Sequence, residues 1–120
     1  MGIKKIYASP VNLGRGIINT AHGPLPVPAP ATLEILKGAP VYSGEVEAEL
    51  TTPTGAAILM GFSPVFGPIP SMQIEKVGYG AGQKDLPFPN LLRIIIGEGK
   101  SQPNEDWVIL LETNIDNMNP

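Results

Sequence analysis

The chain has 120 residues, of which 42% are hydrophobic, the size of one domain that buries roughly 65% of its unfolded surface. Eight basic against eleven acidic residues leave a net charge of −3, and Lys4-Lys5 is the only adjacent basic pair, which argues against a nucleic-acid partner. With no cysteine, disulfides, thiolate metal sites and a cysteine nucleophile are excluded, and no stretch approaches the ~20 apolar residues that span a bilayer.

Residues 1–10, MGIKKIYASP, lack the apolar core of a signal peptide, so a soluble cytoplasmic protein without a membrane partner is expected. Charged residues are 16% of the chain, while 14 glycines and 14 prolines break it into short elements. Residues 3–8 read as a first strand, and Val11-Asn12-Leu13 continues it past a kink at Pro10, because proline cannot donate to a ladder. Gly14-Arg15-Gly16 forms a turn or bulge, and Ile17-Ile18-Asn19 returns as a strand.

The chain's single histidine, His22, stands just before prolines 24, 26, 28 and 30. Each proline pushes its predecessor out of the helical region, so the run is extended and helix begins only near Pro30. Residues 31–37 then form about two helical turns, closed by Gly38 and Pro40. Val41-Tyr42-Ser43 and residues 45–50 read as two short strands about Gly44. A second helix opens on a threonine cap with Pro53 in its first turn, and Gly61 and Pro64 end it.

Residues 72–79 alternate apolar and polar side chains with period two, the pattern of a half-buried strand. Residues 78–82, GYGAG, read as a flexible loop rather than a dinucleotide fingerprint, because residues 83–89 place prolines where a helix would have to follow. Residues 91–96 and 107–112 are near-continuous apolar runs suited to central strands covered on both faces, with a polar loop over residues 97–106. The sum is one α+β domain, a mixed sheet carrying short helices on one side. A split β-α-β layer accommodates that pattern, and an irregular arm over the proline run does so equally.

Histidine is the commonest metal ligand and titrates near neutrality, but one histidine needs carboxylates to make a site. Glu34, Glu45, Glu47, Glu49, Glu112 and Asp116 are available, and no HxxxH or HxxE spacing groups any of them with His22. A capped or exposed loop residue is the plain alternative. The run TTPTGAA, residues 51–57, offers hydroxyls and unpaired amides that suit phosphate, yet it lacks a P-loop lysine, and an ordinary capped helix start explains it as well. LETNIDNMNP, residues 111–120, ends a strand in oxygen-rich side chains able to serve a cation or a polar ligand, or simply to be solvated. A hydrolase is disfavoured by the lack of GxSxG, cysteine and a second histidine.

AHGPLPVPAPATLEILKG (residues 21–38), ELTTPTGAAIL (49–59), EKVGYGAGQKD (75–85) and LETNIDNMNP (111–120) stand in one order. That combination resembles the LarC family, the nickel-insertion proteins of nickel-pincer nucleotide cofactor synthesis. The resemblance implies a cytoplasmic lyase-type nickel insertase. It would insert Ni(II) into pyridinium-3,5-bisthiocarboxylic acid mononucleotide with consumption of CTP, accompanied by Mg or Mn. It further implies a homo-oligomer with a nucleotide-type small-molecule substrate.

Family members are longer, so these 120 residues would be a middle region, with residues 112–120 starting a linker to a C-terminal nucleotide-binding domain that holds most of the CTP site. On this reading His22, Glu34 and Asp116 are the metal ligands. His22, Glu49 and Asp116 are the catalytic groups, including the base for the ring proton, and Thr51, Thr52, Thr54 and Gly55 bind the substrate phosphate. Asn117 departs from the family ending NIDDMNPE, in which a second aspartate stands there, and so puts a neutral carboxamide where the family pattern offers a carboxylate ligand. The competing class is a non-catalytic assembly domain of the same longer protein.

Overall fold

The computed structural model describes residues 3–81, 91–99 and 107–113. The fold class is α+β: nine strands and two short helices lie among the described residues. Contacts divide the chain into two compact units, one built from residues 1–9 and 64–120 and the other from residues 10–63.

The first unit is a five-stranded mixed sheet in the order β6-β1-β9-β8-β7. Strand β1 (Ile3–Ala8) pairs in parallel with both β6 (Val65–Phe66) and β9 (Trp107–Thr113). Strands β7 (Met72–Ala81), β8 (Leu91–Gly99) and β9 form an antiparallel meander. The two apolar runs become the interior strands β8 and β9, each paired along both edges. Ile95, Val108, Leu110 and Leu111 are buried with Ala8 of β1.

The second unit holds both helices and two small ladders. Strand β2 (Val11–Asn12) does not extend β1 but pairs with β5 (Val41–Tyr42). Strand β3 (Gly16–Thr20) forms an antiparallel hairpin with β4 (Gly23–Val27). Helix α1 (Pro30–Ile35) starts on Pro30 and is followed by Gly38 at a φ of +88°. Helix α2 (Pro53–Gly61) packs against α1. Val11, Leu13, Val27, Leu36, Ala56 and Leu59 make this unit's apolar core.

Four further sequence expectations change. The segment after His22 is a paired strand, not an isolated extended arm. Its prolines fall at alternate positions, 24 and 26, leaving Gly23, Leu25 and Val27 to carry the ladder, and proline is tolerated where the N–H faces an open edge. Residues 45–50 form no strand, and only Glu49 bridges to Gly14. Gly78 to Ala81 belong to β7 rather than to a loop, because the ladder to β8 supplies the pairing that glycine lacks by propensity. The proposed loop over residues 97–106 likewise begins later, since Gly97 to Gly99 are still in β8, and its remainder lies outside the described residues.

Candidate functional site

His22 occupies the tip of the β3–β4 hairpin. Thr20 and Gly23 are the closing pair, so Ala21-His22 is a two-residue connection, and Gly23 takes a φ of +100°, which favours glycine. The turn is held by one hydroxyl: the His22 N–H donates to Thr20 Oγ1 at 3.1 Å, and that hydroxyl donates to the Gly23 carbonyl at 2.8 Å. These bonds use only the His22 backbone, and the residue is exposed. The imidazole is thus presented outward on a stiff, proline-backed hairpin.

The threonine-rich segment divides by orientation. Thr51 is buried, and its hydroxyl donates to the Asn12 carbonyl at 2.8 Å. Thr52 is the N-cap of α2, its Oγ1 accepting the Gly55 N–H at 3.1 Å, with Pro53 in the first turn. Thr54 and Gly55 are exposed. A hydroxyl at the cap, proline at the first helical position and a glycine amide two positions on are what a nine-residue helix needs to satisfy its first donors. Thr51 therefore anchors the segment, while Thr52, Thr54 and Gly55 sit at the exposed end of α2.

Behind this segment stands Asn12, which the sequence reading passed over. It is 1% exposed, and its Oδ1 accepts from the Gly14 N–H at 3.0 Å and the Gly44 N–H at 3.4 Å. Ser43 Oγ donates to the Gly14 carbonyl, and the Leu50 N–H donates to the Leu13 carbonyl at 3.3 Å. One carboxamide and its neighbours thus tie residues 12–14, 42–44 and 49–51 together. The first bond is an Asx turn, for which Asn-Leu-Gly at positions 12–14 is a readable signal.

Glu49 is half-buried beside this knot, paired through its backbone with Gly14. Glu34 lies on the open face of α1, where its carboxylate meets Lys37 at 2.8 Å with both side chains largely exposed, a pair of small energetic weight. Asp116 lies outside the described residues. Among the described residues, no three histidine or carboxylate side chains converge to hold a metal, so His22, Glu34 and Glu49 are not gathered into one coordination sphere.

A second polar cluster sits on the sheet of the first unit. Tyr79, Arg93 and Glu112 are in register across β7, β8 and β9. Arg93 Nε donates to Glu112 Oε2 at 2.7 Å, and Nη2 donates to the same oxygen. The guanidinium pKa is raised, chiefly by the hydrogen bond to Glu112, against a smaller opposing effect of burial and with help from the Tyr79 hydroxyl. A raised basic pKa contributes stability below the ordinary arginine value and loses it only above the folded one. From the arginine side, the pair's strength is accordingly constant across neutral pH.

The family model described as nickel insertion protein matches residues 1–120. A "Pyridinium-3,5-bisthiocarboxylic acid mononucleotide nickel insertion protein" of Desulfitobacterium hafniense (strain DSM 10664 / DCB-2) is 53% identical over 126 residues, which cover 100% of this chain and 31% of that protein. The protein of that name from Staphylococcus epidermidis (strain ATCC 12228 / FDA PCI 1200) is 51% identical over 120 residues, 100% of this chain and 30% of its own length. A "Putative nickel insertion protein" of Dictyoglomus thermophilum is 53% identical over 118 residues, 98% of this chain and 31% of its own length. The chain thus spans about a third of the length of the curated relatives it matches. No solved structure matches it. Matched by the family model from end to end and about half identical to these relatives along nearly its whole length, the chain belongs to the nickel insertion protein family.

Proposed function

We propose that this chain is a substrate-handling part of a nickel insertase acting on pyridinium-3,5-bisthiocarboxylic acid mononucleotide. The observation that carries the reading is the 53% identity, along the whole chain, to a relative named for that activity. The lyase class, CTP dependence with Mg or Mn, and a cytoplasmic location belong to the same proposal. No helix among the described residues is long and apolar enough to cross a membrane.

Nickel(II) is cargo in this reaction, and imidazole nitrogen and carboxylate oxygen are ligands it accepts. The exposed His22 suits a delivery ligand that passes the ion to the substrate's own thiocarboxylate sulfurs, with Asp116 as the oxygen partner. Forming a carbon–nickel bond releases the ring C–H proton, so a base is needed, and His22, Glu49 and Asp116 are the proposed groups. The substrate phosphate is assigned to Thr52, Thr54 and Gly55 at the exposed end of α2, with Thr51 holding that segment in place. The described residues do not fit a triphosphate: Gly78 and Gly80 are locked in a strand and cannot wrap phosphates as a glycine loop does. CTP is therefore assigned to the part of the longer protein that this chain does not span.

Calorimetric titration with nickel, of the chain and of His22→Ala, tests the metal role. Micromolar binding that disappears on substitution supports delivery from His22. Equal binding by both chains, or none by either, removes His22 from the metal path. A second reading, a non-catalytic assembly domain, draws on the nine exposed residues Gln73 to Ala81 of the edge strand β7. It predicts that deleting this region from the longer protein abolishes oligomerisation and spares nickel binding.

A further inference from the structure

Strand β7 is the outer edge of the five-stranded sheet and is ten residues long. Gln73 to Ala81 are all exposed, so its outer row of backbone N–H and C=O groups faces no strand among the described residues. Such an edge is a template for another strand. Its register with β8 is irregular between Ile74 and Lys76, and an extra residue at that point resets the alternation of side chains. Met72, Ile74, Val77 and Tyr79 consequently share one face, aligned with Gly99, Gly97, Ile95 and Arg93 of β8. Gln73, Lys76 and Gly78 share the other, aligned with Glu98, Ile96 and Ile94. Ile74, Val77 and Tyr79 remain 52%, 47% and 57% exposed, an apolar stripe along an open edge.

We propose that two copies of this chain pair through β7, antiparallel, about a two-fold axis passing between Glu75 and Lys76. The occupant is a second copy because the edge is complementary to itself. A two-fold normal to a sheet keeps each face on its own side, so it can oppose only residues of like face. The register centred between positions 75 and 76 meets that condition: Ile74 lies opposite the partner's Val77, Met72 opposite the partner's Tyr79, and Gln73 opposite the partner's Gly78. An unbroken strand would forbid it, since positions 74 and 77 would then point to opposite faces. At the centre each Glu75 opposes the partner's Lys76, which gives two pairs of opposite charge. Registers that set Glu75 against Glu75, or Lys76 against Lys76, oppose like charges, which destabilise a cross-strand pair. The bulge and the Glu-Lys dipeptide, which on an isolated edge would discourage pairing, together specify one register. A single added strand buries less than a standard interface, so the association is weak and concentration-dependent. It stands apart from the nickel-handling reading, and either can fail without the other.

The test is sedimentation equilibrium of the 120-residue chain from micromolar to millimolar concentration, with circular dichroism confirming that each variant is folded. Four samples join the unaltered chain: Glu75→Lys, Lys76→Glu, the double swap, and an equimolar mixture of the two single variants. Each single variant turns both central pairs into like-charge pairs and is expected to weaken dimerisation by about tenfold, equivalent to about 1.4 kcal/mol. The double swap restores opposite charges and recovers the dimer. The mixture does the same by forming a heterodimer, since every Lys then faces a Glu. A monomeric unaltered chain throughout the series overturns the proposal and leaves the edge to another segment of the longer protein. A dimer indifferent to all four samples also overturns it, placing the contact elsewhere on the chain.

Discussion

Asn12 shows how much of this structure rests on single polar atoms. Its Oδ1 serves two backbone donors, Gly14 and Gly44, at a position closed to water. Removing it strands both amides, and an unsatisfied buried donor costs about 1–3 kcal/mol. Asn12→Ala is therefore expected to lower stability by about 2–3 kcal/mol in urea denaturation, and a loss no larger than that of a surface substitution would refute the knot's importance. Gly14 is the matching backbone constraint, with a φ of +76° and a built Cβ falling 1.9 Å from the Ala48 carbonyl oxygen. Gly14→Ala must move the segment around Ala48 or the turn, so it is expected to cost about 3 kcal/mol or more. The Asn-Leu-Gly run carries a local Asx-turn signal that the strand reading of Val11-Asn12-Leu13 passed over, whereas its reach to Gly44 and Thr51, 32 and 39 residues away, has no local signal, since nothing local records a distant partner.

Among the elements, α2 was the most legible and β4 the least. A threonine cap, Pro53 in the first turn and an apolar body are local signals, and the helix forms where they place it. Thr52→Ala removes the acceptor for the Gly55 N–H and is expected to cost about 1 kcal/mol, whereas Thr54→Ala, one position further on and exposed, should be near neutral. Equal losses from the two in thermal unfolding would mean that the cap is not what starts this helix. The same pair of variants separates structure from binding, because only Thr54→Ala can weaken nucleotide binding without a stability change. Strand β4 was read as merely extended because proline argues against a strand. Only the partner strand β3 makes an alternate-proline segment into a ladder, and pairing is a non-local fact.

At the scale of the whole molecule, the sheet order β6-β1-β9-β8-β7 sets a gradient of protection. Amides of β8 and β9 lie between paired neighbours and should exchange slowest, reporting the deepest opening of their unit. The outward amides of β7 and the hairpin tip at His22 should exchange orders of magnitude faster. Mass-spectrometric hydrogen exchange checks this ranking. Uniform protection along β7 at the lowest concentration would contradict an open edge, and slow exchange at the tip would contradict an outwardly held His22. Asn12 lies in the unit of residues 10–63, so destabilising it should raise exchange across that unit.

Composition, punctuation and motif order were sufficient by themselves for the α+β class, the two helix starts, the two interior strands and the family. Those features depend on near neighbours, on the period of the apolar residues, or on a sequence of segments preserved as a string. Tertiary structure alone decided that β2 leaves β1 for β5, that β1 lies parallel between β6 and β9, that Thr51 turns inward to Asn12, and that Gly78 to Ala81 are strand rather than loop. Each of those depends on which distant segment supplies a hydrogen-bond partner, and backbone donors and acceptors are nearly alike in every residue, so the one-dimensional string does not distinguish among the candidates.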